Sequence, residues 1–198
     1  MKEKKLLSSQ SVKAKYELYS KIVDGVKFIN KSGIDLQPKK NHIGFLTGHV
    51  FLEHESLDEP IFVVVDTSQN YSSRFEFKVF AKSVLENPCF RFESDGHCHY
   101  NDLDDVPLPE RKIPTPHFHR YHESGKEIAF KTEPLKKTEE ENILLGDKDF
   151  AFAHFCHAGK IQPRIGQSYP SILDQDLFGS LDTVYDPLEG VKFPCTQI

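Results

Sequence analysis

The chain has 198 residues, 38% of them hydrophobic and 28% charged, with a formal net charge of −5. No run approaches the roughly 18 apolar residues of a membrane span, the opening Met1-Lys-Glu-Lys-Lys-Leu-Leu is too short an apolar segment for a signal peptide, and four cysteines without a Cys-x-x-Cys pair are too sparse for a disulfide scaffold. Membrane, coiled-coil, disordered and secreted mini-protein classes are excluded, and a single cytoplasmic domain over 1–198 is expected.

Residues 1–40 carry ten Lys against four acids, leaving 15 basic and 26 acidic residues beyond them. Val12, Tyr16, Tyr19, Ile22, Val23 and Val26 recur at three- and four-residue steps, so residues 1–33 read as a basic segment built on one amphipathic helix that opens near Ser9 or Ser11. Its apolar stripe is expected to dock on the body, because lysines on a polar helix face are usually only solvated. Binding of nucleic acid or a partner by that face is the alternative.

Across the body, residues 41–160, the period changes to two. Strands are predicted near 43–52, 60–66, 73–81, 88–93 and 116–131, with Val63, Val65, Phe75, Phe77, Val79, Phe90 and Phe92 in the core and Arg91 and Glu93 set differently from their Phe neighbours. The acidic stretch from Asn101 to Pro116 holds four prolines and reads as a long loop. Thr138-Glu-Glu-Glu141 fits a capping box, and Asp147 is placed to cap a second short helix that stops at Gly159. Residues 161–198, rich in Pro and Gly, read as a loop-rich segment wrapping the body. The fold class is α+β, an N-terminal helix packed on a mainly antiparallel sheet with short helices around 139–157.

Seven of the ten histidines fall between His97 and His157. In Pro116-His-Phe-His-Arg-Tyr-His-Glu123 the strand period puts His117, His119, Tyr121 and Glu123 on one face and Phe118, Arg120 and His122 on the other. A core face would be apolar, and a solvent face has no need of alternate imidazoles. Gly96-His-Cys-His-Tyr-Asn101 is a second His-x-His, and a strand–loop–strand connection would bring His99 and Asn101 toward His117 and His119. His154 and His157, at i and i+3 on the second helix, are expected to pack against Phe152 or Phe155. Cys98 would point away from its flanking histidines, and Cys89 and Cys156 read as small buried hydrophobes.

The stretch from Asn87 to about Phe130, with His99-Tyr-Asn101, the acidic Asp102 to Asp105 and Pro116-His-Phe-His-Arg-Tyr-x-Glu123, resembles an uncharacterised family of small prokaryotic and phage-encoded proteins over about a fifth of the chain. The resemblance implies a shared site at His99, Asn101, His117, His119, Tyr121 and Glu123, and no particular reaction.

Three chemistries fit these residues. The first is a metal-free hydrolase acting on RNA or another phosphodiester, with His117 and His119 as acid–base pair, Glu123 and Tyr121 assisting, and His99, Asn101 and Arg120 contacting substrate. The second is a divalent transition metal, Zn, Ni or Fe, held by His99, His117, His119 and Glu123. His117-x-His119-x-x-x-Glu123 also matches the centre of the cupin signature, but neither its upstream Gly nor its downstream Pro-x-Gly-x-x-His step is present. The third is a non-catalytic module of a phage or mobile element in which the polar layer organises the Pro-rich loop and the surface takes a protein partner.

Overall fold

The computed structural model describes residues 10–104 and 106–173, so the expectation for the Pro- and Gly-rich stretch beyond Leu173 lies outside the described residues. The described residues begin with two helices, α1 (Gln10–Ala14) and α2 (Tyr16–Asp24), where the spacing predicts one. Val12, Tyr19, Ile22 and Val23 are nevertheless buried against the body, as the stripe requires. The helix C-terminus is finished from inside. Lys27 Nζ donates to the carbonyls of Ile22, Val23 and Gly25 at 2.7, 3.0 and 2.7 Å, satisfying acceptors that the helix leaves open.

The strands follow as β1 (Lys27–Ile29), β2 (Gly33–Asp35), β3 (Gln37–Pro38), β4 (Phe45–His54), β5 (Ile61–Ser68), β6 (Phe75–Ala81) and β7 (Phe90–Glu93). After them come β8 (His99–Tyr100), β9 (Lys112–Ile113), β10 (His117–Tyr121) and β11 (Glu127–Phe130). Helices α3 (Thr138–Gly146) and α4 (Lys148–Ala158) and strands β12 (Ile161–Pro163) and β13 (Ser171–Leu173) complete the described chain. One large sheet runs β11-β10-β7-β6-β5-β4-β1-β12, with β3 paired to β4. It is antiparallel except where β12 lies parallel to β1, and it curls into a half-barrel. The α+β class and the N-terminal helical layer are as expected.

Alternation along the strands gives the sheet two different faces. On one, Phe118, Phe92 and Phe77 stand in register across β10, β7 and β6, with ring centroids 4.9 and 5.9 Å apart. Helix α4 covers this rung: Phe152 lies 5.2 Å from Phe77 and Phe155 lies 5.4 Å from Phe90. All seven core residues expected from the alternation are buried.

Two local expectations fail. The segment 116–131 is not one strand but a hairpin, because His122 to Lys126 turn through Gly125 at φ 79°, a conformation glycine adopts without Cβ strain. The capping box at Thr138 does not form, since Lys137 holds the cap position and Thr138 is already helical. Asp147 does cap α4, accepting from the Asp149 and Phe150 amides at 2.9 and 3.1 Å.

Candidate metal centre

The face opposite the Phe rung carries the chemistry. Register places Glu93 opposite His117 and Glu76 opposite Glu93, while Arg91 stands opposite His119 and Lys78 opposite Arg91. An acidic rung and a cationic rung therefore lie side by side, and the two imidazoles cap them at β10.

His99 reaches the same place from outside the main sheet. Strand β8 pairs with β9 and not with β10. It is held over β11 because the buried Asn101 side chain imitates a strand partner: Nδ2 donates to the Ala129 carbonyl at 2.8 Å and the Ala129 amide donates to Oδ1 at 2.7 Å. His99 Nε2 then sits 3.3 Å from the Glu127 carbonyl, with its ring 4.9 Å from that of His119. Asn101, expected to contact substrate, is buried with its side-chain amide engaged by the Ala129 backbone.

Two sets of donor atoms converge on His119. In the first, His117 Nε2 and His119 Nε2 are 2.7 Å apart and lie 3.7 and 3.6 Å from Glu93 Oε2. These edges bracket the roughly 3.0–3.4 Å between donors that sit about 2.1 Å from one ion at right or tetrahedral angles. In the second, His99, His119 and Glu127 face one another, but the Arg91 guanidinium is already bound to two of them, 3.2 Å from His119 Nδ1 and 3.0 Å from Glu127 Oε1. Arg91 also grips Glu93 Oε1 at 2.8 Å, which turns Oε2 toward the imidazoles. Either triad could hold a metal ion; the second already has a cation bound to two of its members, and the first has none between its Nε2 atoms and Glu93 Oε2.

Protonation follows from burial and these charges. Burial pushes the His119 imidazole down to about 4, with Arg91 acting in the same direction against Glu93. Burial also lowers His117 and His99. All three rings are neutral near pH 7, the form that binds metals. For Glu93, burial opposes ionisation, but the contact with His119 and the charge of Arg91 outweigh it and hold the carboxyl down to about 2. Arg91 donating to His119 Nδ1 leaves the His119 proton on Nε2, directed at His117 Nε2. His117 Nδ1 is buried without a hydrogen-bond partner.

The site opens into a cleft of about 730 Å³ along this face, lined by His99, His117, His119 and Glu93 and farther out by Arg74 and Lys39. His97 and Cys98 are exposed at its rim.

Three residues expected in the site lie elsewhere. Glu123 is exposed in the β10–β11 turn, because the hairpin ends the strand at Tyr121. Arg120 is exposed on the opposite face with its guanidinium 5.6 Å from the Phe130 centroid. Tyr121 shares the histidine face but is buried against α2, its amide donating to Tyr19 Oη at 2.7 Å. His154 packs on Phe118, with centroids 5.7 Å apart, and meets the Thr132 hydroxyl at 2.9 Å, while its neighbour His157 is exposed. The carboxylates of the site are Glu93 and Glu127, and its cation is Arg91. Alternation in Phe90-Arg-Phe-Glu93 marks Arg91 and Glu93 as sharing a face, but only the strand register brings them to His117 and His119.

No helix among the described residues is long and apolar enough to cross a membrane. Family models, curated proteins and solved structures contain no match to this chain, so the reading of the site rests on its own chemistry.

Proposed function

We propose that the protein is a metal-dependent hydrolase of anionic esters, with phosphodiesters the favoured class, whose divalent transition metal is held by Glu93, His117 and His119. The carrying observation is the set of three donor atoms, 2.7 to 3.7 Å apart, made of two neutral imidazoles and one ionised carboxylate at the floor of a cleft. Two histidines and a carboxylate are a ligand set of hydrolytic zinc sites. When bound, such an ion lowers the pKa of its water and polarises the ester oxygen.

The surrounding residues divide the remaining work. Metal binding through His119 Nε2 would move the ring proton to Nδ1, which requires Arg91 to give up its contact with Nδ1 and leaves Glu127 Oε1, 3.7 Å away, as the acceptor. His99, neutral and facing the cleft, serves as the base for the attacking water. Arg74 and Lys39 on the cleft wall, paired with Asp95 and Asp66, would turn toward an anionic group held beside the ion.

The same distances weigh against a metal-free pair. With 2.7 Å between His117 and His119 no phosphate fits between them, and an imidazole held near 4 is not a general acid at pH 7. Metal content of untagged protein tests the reading, with about one equivalent of Zn, Ni or Fe expected. Glu93→Gln, close to isosteric, should lose metal and hydrolysis of bis(4-nitrophenyl) phosphate together. Wild-type protein that binds no divalent metal at micromolar concentration, or Glu93→Gln protein that retains both, overturns it.

A further inference from the structure

The metal face of the sheet does not end at the charged rungs. One rung farther along, Phe51, Phe62 and Phe80 stand in register across β4, β5 and β6. Phe62 and Phe80 stack at 5.3 Å with 12° between their planes, and Phe51 meets Phe62 at 6.1 Å and 61°. Phe51 is 66% exposed. With His49, Thr47 and Val64, the Phe51 and Phe62 rings form a shallow cup of about 310 Å³ with a mostly apolar lining.

Cup and metal centre are linked by register. The rung beside the aromatics reads His49, Val64, Lys78, Arg91, His119 in unbroken cross-strand pairing. Lys39 and Lys78 converge between the two sites on Asp66, at 2.6 and 2.7 Å. From the β4–β5 cup to the β7–β10 centre is three strand spacings, about 15 Å at roughly 4.8 Å each. A single nucleoside monophosphate does not cover that span; a short oligonucleotide does.

We infer that this face binds a short single-stranded oligonucleotide, with one base in the Phe51–Phe62 cup and a phosphodiester of the same strand at Glu93, His117 and His119. The second half rests on the hydrolase reading; the cup does not. Aromatic rings supply sequence-tolerant stacking for a base, and lysines between ring and metal lie under the connecting backbone. The rings also form a cross-strand rung that supports the sheet, but sheet support alone gives no reason for a large apolar ring to stay two-thirds exposed on the face that carries the cleft. Because Lys39 and Lys78 are already paired with Asp66, few counterions are released on binding. The salt dependence is therefore shallow, with a log–log slope of about 1 to 2, where each phosphate neutralised on a single strand contributes about 0.7.

Fluorescence anisotropy of labelled hexathymidylate with the full chain tests this, probe integrity being checked on a gel. Phe51→Ala should weaken binding about ten-fold, as loss of one stacked base does, while Ile143→Ala on α3, exposed and remote, leaves it unchanged. Unchanged affinity in Phe51→Ala overturns the inference. So does thymidine monophosphate binding as tightly as the hexamer, or a concentration-dependent dimer that Phe51→Ala abolishes in the absence of oligonucleotide binding. Metal content separates the two readings. Phe51→Ala keeps its metal, and oligonucleotide binding that depends on Phe51 in a protein without metal affinity would leave the cup standing while the hydrolase reading falls.

Discussion

Arg91 is the residue on which the site's electrostatics turn. Its guanidinium meets Glu93, Glu127 and His119 and lies 3.8 Å from Glu76. Removing it leaves Glu93 and Glu127 facing two neutral imidazoles without a cation of their own, while Lys78 still holds Glu76. Breaking a partly buried ion network by deleting one member costs about 3–5 kcal/mol, because the remaining charges stay desolvated. Arg91→Met should therefore lower the unfolding free energy by that order in urea titrations. Added Zn²⁺ should recover more stability in the variant than in the wild type, since the ion replaces the lost charge. Equal stabilisation of both proteins by Zn²⁺ would show that Arg91 does not act as the site's resident cation.

At the scale of elements, two buried polar side chains replace backbone partners. Asn101 ties β8 to β11. Asn101→Ala leaves the Ala129 amide and carbonyl unpaired, at about 1–3 kcal/mol for each buried group left open. Metal affinity should be spared because Glu93, His117 and His119 stay in place, while hydrolysis should fall as His99 loses its mooring; a variant with full turnover would remove His99 from the mechanism. Lys27 closes α2 through its three carbonyls, and burial lowers its ammonium to about 8 from an ordinary value near 10.4. The folded state thus releases this proton first. Between about pH 8 and 10.5 the unfolded chain binds more protons, so this residue makes stability rise with pH across that window, a contribution absent below it. Above about pH 9 the buried Cys89 and Cys156 thiols, which burial raises, act in the opposite direction, so Lys27→Met should make the change in stability from pH 7.5 to 10 more negative than in the wild type, which chemical denaturation of both proteins at the two pH values measures.

Over the whole molecule, what could be read from the chain alone depends on the range of the interaction concerned. Phe75, Phe77, Phe90 and Phe92 declare their face by local alternation, and all are core. The convergence of His99, His117 and His119 was partly legible, because two His-x-His strings flank one loop. Glu93 and Glu127 were not, since their place depends on β7 and β11 pairing with β10 in a particular register. Glu123 misled because a turn at Ser124-Gly125 interrupts the alternation just before it would matter. The α1–α2 break at Lys15 has no signal in the spacing that we can identify.

Strand β10 joins the two halves of the molecule, since Phe118 points into the core while His117 and His119 point into the cleft. Phe118 lies between Phe92 at 4.9 Å and Phe130 at 5.6 Å, and it is fully buried. Phe152, equally buried, meets Phe77 from α4, one layer away from the histidine face. Truncating either ring to alanine costs about 3–5 kcal/mol through lost transfer energy and the cavity left behind, a large share of the roughly 5–15 kcal/mol that holds a typical domain together. Their effects on the site should differ. In Phe118→Ala the strand that carries two metal ligands loses its anchor and relaxes toward the cavity, so metal affinity should fall even well below the unfolding temperature. In Phe152→Ala the cavity opens between α4 and β6 and the ligand triangle stays braced by β7 and β11, so affinity should be unchanged. Thermal melts paired with metal titration at 10 °C measure both quantities on the same samples. If the two variants lose affinity equally, core packing behind β10 does not set the geometry of Glu93, His117 and His119, and the ion network around Arg91 must hold the site in shape by itself.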